Sequence, residues 1–489
     1  LKSRTVRGGF AKVCSQGANL TLRLGSLMIL ARLLDPKDFG LVGMVTAVTG
    51  VFHIFKDFGL STATVQRVTV TEEQISSLFW INVLVGAILG ILSVVVAPTI
   101  AAFYHDPRLF AVTAILGLGF LFDAAGVQHS AILQRQMRFT ALAAIETASL
   151  SAGIAVGIVL ALRGYGYWAL VATIVVTPLA SAMGVWLTAA WLPGPPRRHV
   201  GVRSMIGFGG TLTLNGLVAY AAYNMEKVLL GRFWGADALG IYGRGYQIAN
   251  LPTSNLNSAV GGVAFSALSR LQNEPGRLRT YFLKGYSLVL TLTIPITVVC
   301  ALFAHDVVLV ILGAKWTAAV IILRLLAPTI VVFALINPLG WLLYSLGLVG
   351  RSLKIALVFA PIVVVGYVIG LPYGPKGVAL AYSAVMILWV IPHVAWCMHG
   401  TMISIRDVLV AASLPLASGI AAGALAFGLR PLWANLSSPF PRLALESTVV
   451  VVTFFALLLF VAGQKSIYVD LLRTLKGSAP VEEKRLVSA

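Results

Sequence analysis

The sequence predicts an all-α polytopic membrane protein with about fourteen transmembrane helices in two related halves. Of its 489 residues, 58% are hydrophobic and only 11% are charged, and the mean hydropathy is +0.91. Apolar runs of ~20 residues recur along the whole chain, and each is long enough to cross a ~30 Å hydrocarbon core. The runs do not alternate with a period of two residues, so a β-barrel is excluded as well as a soluble domain.

Fourteen runs qualify as spans, and the connections between them are short. In chain order they are 10–34, 40–66, 75–103, 108–134, 139–162, 165–192, 204–231, 236–268, 278–304, 318–346, 351–371, 376–399, 407–429 and 443–463. No small-residue cleavage site follows the first run, so we expect a retained helix and not a signal peptide. Val307–Gly313 is apolar but too short to cross, which makes the segment 305–317 either re-entrant or a loop.

A stiff basic linker separates the two halves of the chain. It reads Pro193-Gly-Pro-Pro-Arg-Arg198 and is followed by His199 and Arg203. The predicted organisation is an N-terminal lobe at 1–192, the linker at 193–203, a C-terminal lobe at 204–400, two extra spans at 401–463, and a cytoplasmic tail at 464–489.

Two stretches 200 residues apart indicate an internal duplication. Leu30-Ala-Arg32 leads to Gly40 through a short polar turn, and Leu230-Gly-Arg232 leads in the same way to Gly240. In each half the arginine closes an apolar span that contains a few polar residues. Six spans precede the linker, an even number, so the repeats are predicted to be parallel and related by a pseudo-two-fold axis along the membrane normal.

The net charge of +19 would suggest nucleic acid as a partner if the protein were soluble, but here the basic residues lie mostly at the ends of spans. One side of the predicted topology carries 22 lysines and arginines in its connections and termini, and the other carries 9. Cytoplasmic connections are enriched in these residues. We therefore expect no nucleic-acid partner, a location in the bacterial inner membrane, and both termini in the cytoplasm.

Polar residues recur every three or four positions in the first two spans of each half. The sets are Lys12, Gln16, Asn19, Arg23 and Ser26; Thr46, Thr49, His53, Lys56, Asp57 and Thr64; Thr213, Tyr220, Tyr223, Asn224 and Lys227; and Arg244, Gln247, Asn250, Ser254 and Asn257. This spacing places each set on one helical face. Ionisable residues within spans usually face protein or water, so the sets predict one polar central cavity. Four separate helix–helix contacts are the alternative.

The predicted cavity has a positive charge and is suited to an anionic ligand with hydroxyl groups. Its basic residues are Arg23, Lys56, Lys227 and Arg244, and its amides and hydroxyls come from Asn19, Tyr220, Asn224, Gln247 and Asn250. Two acidic residues, Asp57 and Glu226, are expected to pair with Lys56 and Lys227. Arginine forks match phosphate oxygens, so a pyrophosphate-linked sugar would be such a ligand.

Four carboxylates are candidates for coupling transport to a proton or sodium gradient: Asp57, Asp123, Glu146 and Glu226. We expect Asp123 and Glu146 to lie away from the cavity cluster, where hydrogen bonding within the fold is the alternative role. His129 and His393 are weaker candidates of the same kind. Pairs of glycines four apart (Gly86/Gly90, Gly153/Gly157 and Gly419/Gly423) are expected to mark close helix packing.

Nothing in the sequence predicts a cofactor, a metal or a catalytic site. We find no phosphate-binding loop, no HExxH, no GxSxG and no dinucleotide fingerprint. The three cysteines, Cys14, Cys300 and Cys397, lack the spacing of metal ligands and are expected to be buried free thiols.

Several stretches together resemble the Wzx-type polysaccharide flippases, a branch of the multidrug/oligosaccharidyl-lipid/polysaccharide (MOP) exporter superfamily. They are Leu30–Gly40, Gln134–Phe139, Gly164–Leu170, Gly231–Tyr242, Leu251-Pro252 and Phe265–Arg270. The resemblance covers almost the whole chain and implies two six-helix lobes in a V with two extra C-terminal helices. It also implies a transporter that flips undecaprenyl-pyrophosphate-linked oligosaccharides for exopolysaccharide or lipopolysaccharide synthesis. Membrane lipids, a polysaccharide polymerase and chain-length proteins are the further candidate partners. Glu226 departs from the family pattern, in which aspartate is expected.

Three alternatives remain open at this point. A multidrug antiporter of the same superfamily would carry cationic drugs, which favour an acidic cavity. A membrane glycan polymerase or ligase would need a periplasmic catalytic surface, and no connection here is long. A scaffold without transport activity would not need basic side chains within its spans.

Overall fold

The computed structural model describes residues 2–55, 64, 70–196, 203–433, 436 and 438–461, and within these residues the secondary structure is helical, with no strand. The helices are α1 (Lys2–Leu33), α2 (Pro36–Phe55), α3 (Glu72–Tyr104), α4 (Arg108–Arg135), α5 (Phe139–Leu162), α6 (Trp168–Ala189), α7 (Arg203–Arg270), α8 (Pro275–Leu302), α9 (Ala304–Ile311), α10 (Ala319–Ser345), α11 (Val349–Gly370), α12 (Gly374–Met398), α13 (Ile405–Gly428) and α14 (Pro439–Ala456). A π-helical turn, Leu457–Val461, extends α14. The predicted all-α class is confirmed.

Ten helical segments in the described part of the chain are long and apolar enough to cross a membrane, with α11 and α12 counted together. The helices α1 and α7 are not among the ten. The predicted total of about fourteen spans therefore stays a prediction.

Two predicted spans are consecutive helices joined by a kink. The spans at 204–231 and 236–268 both lie in α7, which denotes two helices that meet at Gly235 (φ 79°). A backbone with positive φ is accessible to glycine at little cost, and here it breaks the helix at the predicted turn. The ambiguous segment 305–317 contains the short helix α9 and a 3₁₀ turn, Ala314–Trp316.

The described residues divide into two compact units. The first comprises Leu1–Arg244, Ile311–Thr317 and Ala356–Ala381, and the second comprises Gly245–Val310, Ala318–Ile355 and Tyr382–Ala489. In the first unit α3 packs on α4, α5 on α6, and α1 on α5. In the second unit α8 packs on α10 and α13, and α13 on α14. The predicted domain boundaries stay a prediction.

The glycine pairs mark close helix packing, as expected. A Cβ on Gly86 would lie 2.5 Å from the Cβ of Ala124 on α4. A Cβ on Gly153 would collide with Thr177 of α6, and one on Gly419 with Ile294 of α8. Backbones approach this closely only where one residue has no side chain.

The first part of the predicted linker is fixed to the N-terminal helices. The indole Nε1 of Trp80 donates to the Gly194 carbonyl at 2.9 Å, and the Gly194 amide donates to Ser76 Oγ at 3.0 Å. His129 Nε2 lies 3.1 Å from the Trp191 carbonyl oxygen. Arg197, Arg198 and His199 lie outside the described residues.

Candidate functional site

The polar face of α1 meets α5 inside the first unit. Asn19 is 4% exposed, and its Nδ2 donates to Glu146 Oε1 at 3.1 Å. One turn earlier, Ser15 Oγ lies 3.1 Å from Thr147 Oγ1 and 3.3 Å from the Ala143 carbonyl oxygen. A polar seam therefore joins the two helices.

The expectation that Glu146 lies away from the predicted cluster is wrong. Because α1 packs along α5, the carboxylate of Glu146 reaches the amide of Asn19, one of the predicted site residues. Its hydrogen-bonding role, named as the alternative, is confirmed.

Arg23 follows Asn19 by one turn on the same face of α1. Its side chain is exposed, and no described residue forms a hydrogen bond or an ion pair with it. Ten residues separate Arg23 from the end of α1 at Leu33, which is about 15 Å at 1.5 Å per residue. Arg23 is therefore an interior residue of α1 and not a residue of its last turn.

The polar residues predicted on the seventh span form a hydrogen-bonded series on α7. The hydroxyl of Tyr220 lies 3.0 Å from the Thr46 carbonyl oxygen and 3.1 Å from that of Ala47, both on α2. Asn224 Nδ2 donates to the Tyr220 carbonyl at 3.0 Å, and Lys227 Nζ donates to Asn224 Oδ1 at 2.6 Å. The series attaches α7 to α2 and orients the Lys227 ammonium.

The expected pairing of Glu226 with Lys227 is an electrostatic interaction and not a hydrogen bond. Glu226 is 0% exposed, and neither of its carboxylate oxygens accepts a hydrogen bond from the described residues. Lys227 donates to Asn224 on its own face of the helix. Consecutive residues project from a helix about 100° apart, so Glu226 does not share that face. A buried carboxylate with no hydrogen bond is energetically costly.

Arg244 lies above an aromatic ring that the sequence did not single out. Its guanidinium carbon is 4.5 Å from the centroid of Phe39 in the first turn of α2. Phe39 in turn meets Trp316 edge to face at 5.3 Å. A cation over an aromatic face gains about 0.5–2 kcal/mol. The only sequence signal for Phe39 was its place within the repeated stretch Leu30–Gly40.

The other predicted site residues do not take part in the contacts of α1 with α5 or of α2 with α7. Lys56 and Asp57 lie outside the described residues, and Gln247 and Asn250 belong to the second unit. There Thr253 Oγ1 donates to the Asn250 carbonyl at 3.0 Å. Asp123 is half-buried in α4. The single cavity therefore stays a prediction. The first unit contains two separate polar contacts, one between α1 and α5 and one between α2 and α7.

Both candidate histidines interact with a neighbouring tryptophan, which fits a structural role. His129 is fully buried and stacks on Trp186 with ring centroids 4.4 Å apart. His393 Nδ1 accepts a hydrogen bond from Trp389 Nε1 at 3.1 Å. Cys300 and Cys397 are buried free thiols, as expected. No group of three or more metal-ligating side chains occurs among the residues that the structure describes.

A small cavity with both apolar and polar lining residues lies in the second unit, beside a residue from the predicted stripe of span eight. Trp341 Nε1 donates to Asn257 Oδ1 at 3.0 Å, and the cavity next to them is also lined by Thr253 and Asn337. Its volume of about 10 Å³ suits one water molecule.

Sequence comparison places these residues in a family. The family described as "Polysaccharide biosynthesis protein" matches residues 29–321, which is more than half of the chain. The teichuronic acid biosynthesis protein TuaB of Bacillus subtilis (strain 168) is 31% identical over 413 residues, covering 77% of this chain and 84% of TuaB. The lipopolysaccharide biosynthesis protein WzxC of Escherichia coli (strain K12) is 26% identical over 398 residues, covering 79% of this chain and 80% of WzxC.

Comparison with solved structures identifies the fold. A lipid II flippase, MurJ, matches with a TM-score of 0.73 at 15% identity, covering 96% of this chain and 100% of MurJ. A multidrug resistance MATE transporter of the MOP superfamily matches with a TM-score of 0.64 at 13% identity, covering 81% and 96% of the two chains. The chain thus has the fold of these exporters, and by its sequence it belongs to the family of polysaccharide biosynthesis proteins.

Proposed function

We propose that this protein is a flippase that moves a lipid-linked oligosaccharide, carried on undecaprenyl pyrophosphate, across the bacterial inner membrane for exopolysaccharide or lipopolysaccharide synthesis. The family and the relatives support this class. WzxC is a lipopolysaccharide biosynthesis protein, TuaB is a teichuronic acid biosynthesis protein, and ExoT of Rhizobium meliloti (strain 1021) is a succinoglycan biosynthesis transport protein. ExoT is 24% identical over 64% of this chain.

The observation that carries the proposal is the exposed guanidinium of Arg23. An arginine in the interior of a membrane helix costs several kcal/mol unless it faces water, protein or a polar ligand. Arg23 has no protein partner among the described residues, and the uncharged polar residues Asn19 and Ser15 precede it on the same face of α1. A path for a pyrophosphate head group would supply both the water and the anionic ligand.

The other basic residues extend this chemistry along α7. Lys227 is oriented by Asn224, and Arg244 is held over Phe39. A guanidinium packed over a ring still presents N–H donors at its edges, and these donors can bond phosphate oxygens. We assign head-group binding to Arg23, Lys227 and Arg244, with Asn19, Tyr220 and Asn224 as neutral donors and acceptors for sugar hydroxyls. Lys56, Gln247 and Asn250 are proposed to line the same path.

The energy for transport is proposed to come from an ion gradient or the membrane potential. Moving one charge through 100 mV supplies about 2.3 kcal/mol. The candidates for the coupling carboxylate are Asp57, Asp123, Glu146 and Glu226. Alternating access, with both termini in the cytoplasm, completes the proposal.

The decisive experiment measures flipping of the lipid-linked oligosaccharide in reconstituted vesicles. Arg23→Ala should reduce the rate at least tenfold, because a missing charge-assisted hydrogen bond to phosphate costs ~1.5–3 kcal/mol. Arg163→Ala is the matched control, since Arg163 is exposed at the end of α5 and should leave the rate unchanged. Equal rates for wild type and Arg23→Ala at equal incorporation would refute the assignment. Transport of cationic drugs without glycan flipping would instead indicate an antiporter.

A further inference from the structure

A crevice between the last two described helices has a cationic lining. Its volume is about 460 Å³, and its walls are Phe427, Arg430, Pro431 and Arg442. Phe427 is in the last turn of α13, Arg430 opens the 3₁₀ turn Arg430–Trp433, and Arg442 is in the first turn of α14.

Arg442 is fixed in place by a buried carboxylate. Its Nε donates to Asp306 Oδ1 at 3.0 Å, and its Nη2 also contacts that oxygen. Asp306 is 0% exposed, in the first turn of α9, whereas the Arg442 side chain remains 20% exposed. Nη1 also donates to the Leu436 carbonyl at 3.4 Å. The guanidinium is therefore held in place, and its partly exposed side chain lines the crevice.

Arg430 is the second cation of the crevice. Its side chain is half-buried and makes no hydrogen bond within the described part of the chain, although it interacts electrostatically with the carboxylate of Glu446. Glu446, one turn beyond Arg442, is 0% exposed like Asp306. Both nearby carboxylates thus lie beneath the surface, and the charged groups that line the crevice are both guanidinium groups.

The crevice lies where two membrane spans meet water. The apolar segment Ile405–Gly428 ends beside it, and the apolar segment Pro439–Val461 begins beside it. Large apolar side chains flank it in exposed positions: Phe427 (54%), Leu432 (73%) and Phe440 (69%). Aromatic side chains at this depth face the boundary between acyl chains and head groups.

We propose that Arg430 and Arg442 bind the phosphate group of an anionic membrane phospholipid, whose acyl chains lie along the exposed apolar faces of α13 and α14. Arginine forks match phosphate oxygens, and the phospholipid phosphate lies at this depth of the bilayer. The proposed ligand is a resident phospholipid and not the transported lipid-linked oligosaccharide.

The test compares lipid binding to the purified full chain by native mass spectrometry with phosphatidylglycerol and with phosphatidylcholine. Wild type should prefer phosphatidylglycerol. Arg430→Gln should weaken its binding about fivefold, equivalent to ~1 kcal/mol at 1.4 kcal/mol per tenfold change. Arg163→Gln, which removes an exposed arginine elsewhere, should leave the affinity unchanged.

A second variant separates binding from folding. Arg442→Lys keeps the charge beside Asp306 but loses the fork, so it should fold and also bind phosphatidylglycerol more weakly. Unchanged affinity in both Arg430→Gln and Arg442→Lys would overturn the proposal. Displacement of the lipid by millimolar inorganic phosphate would overturn it as well, because the site would then be a general anion site. The measurement needs no transported substrate, so its result does not depend on the proposed flippase activity.

Discussion

Gly40 and Gly240 occupy reciprocal positions at one helix crossing. A Cβ on Gly40 would collide with the carbonyl oxygen of Ala236, and a Cβ on Gly240 would collide with the carbonyl oxygen of Pro36. Residues 36 and 236 are separated by 200 positions, as are 40 and 240. Reciprocal contact of this kind is what a two-fold axis produces, so the crossing supports the duplication inferred from sequence.

The crossing predicts that a single methyl group at Gly40 destabilises the protein. The group that blocks it is backbone, which cannot move aside like a flexible side chain, so Gly40→Ala should cost about 1–3 kcal/mol. Gly243→Ala is the matched control on α7, because no described atom outside the surrounding helix backbone lies within 4 Å of its Cβ position. Thermal unfolding in detergent should show Gly40→Ala below wild type and Gly243→Ala at or above it. If the two alanine variants unfold together, the crossing is looser than described.

A second prediction concerns the turn Ala314–Trp316, where two neighbouring residues should differ strongly in importance. Trp316 is 0% exposed, and its Nε1 donates to the Ala31 carbonyl at 2.7 Å. Lys315 pairs with Asp35 at 2.8 Å, but both side chains are more than half exposed. An exposed ion pair contributes about 0–1 kcal/mol, whereas a buried acceptor left without its donor costs about 1–3 kcal/mol.

Trp316→Phe should therefore lower the unfolding temperature clearly, and Lys315→Ala should change it little. The measurement is thermal unfolding of both variants in the same detergent at low and high salt. Salt should weaken only the contribution of Lys315. A larger loss for Lys315→Ala than for Trp316→Phe would contradict the assignment of the indole as the main attachment of this turn.

These contacts also show which features of the protein the sequence predicts and which it does not. The apolar runs predict the membrane helices, because burial in lipid requires only length and composition. The repeat of Gly40 and Gly240 can be recognised in the sequence because a duplicated close contact requires glycine at both equivalent positions. The bond between Asn19 and Glu146 leaves no such signal, since it depends on which helix packs beside α1.

The missed aromatic residues have a similar explanation. Trp316 lies in a connection predicted only as a loop or a re-entrant segment, yet it is fully buried against Phe39. Its burial depends on a contact with a residue 277 positions earlier in the chain, and no local pattern encodes that. Charge balance alone predicted that Glu226 pairs with Lys227. The Lys227 ammonium instead donates its hydrogen bond to Asn224, which lies one turn earlier on the same helical face.

A third prediction follows from the connection between α3 and α4. Arg108 Nε donates to Asp106 Oδ1 at 2.9 Å and Nη2 to Oδ2 at 2.6 Å. These hydrogen bonds lower the pKa of Asp106 below its ordinary value of 3.8. Because the folded-state pKa is depressed, the pair stabilises the fold above the ordinary pKa, and this contribution is lost as the pH falls through the folded value.

Asp106→Asn should therefore be slightly less stable than wild type at pH 7, by no more than about 1 kcal/mol for a partly exposed pair. The difference should shrink as the pH is lowered below about 4. Arg108→Gln removes the cause of the pKa shift and should reduce the same pH dependence. A stability gap between Asp106→Asn and wild type that stays constant from pH 7 to pH 3 would show that the carboxylate charge is not involved.

The last prediction assigns a role to Glu226 and rests on the proposed flippase function. Its carboxylate is 0% exposed and accepts no hydrogen bond from the described residues, so its charge is costly to keep. A neutral isostere at such a position is often neutral or stabilising, and Glu226→Gln should fold at least as well as wild type. A carboxylate kept at such cost in a membrane helix is a functional candidate.

If Glu226 exchanges a proton or binds a cation during transport, Glu226→Gln should flip substrate down its own gradient but lose acceleration by an imposed ion gradient. Glu146→Gln is the comparison variant: Glu146 is also a candidate, but it is exposed, and its contact with Asn19 survives as an amide–amide hydrogen bond. Flipping is measured in vesicles with and without the gradient, for protons and for sodium separately. Because the two glutamates differ in burial and partners, only the buried one should uncouple the reaction. Retention of full gradient dependence in Glu226→Gln would transfer the coupling role to another carboxylate, with Asp57 and Asp123 as the next to test.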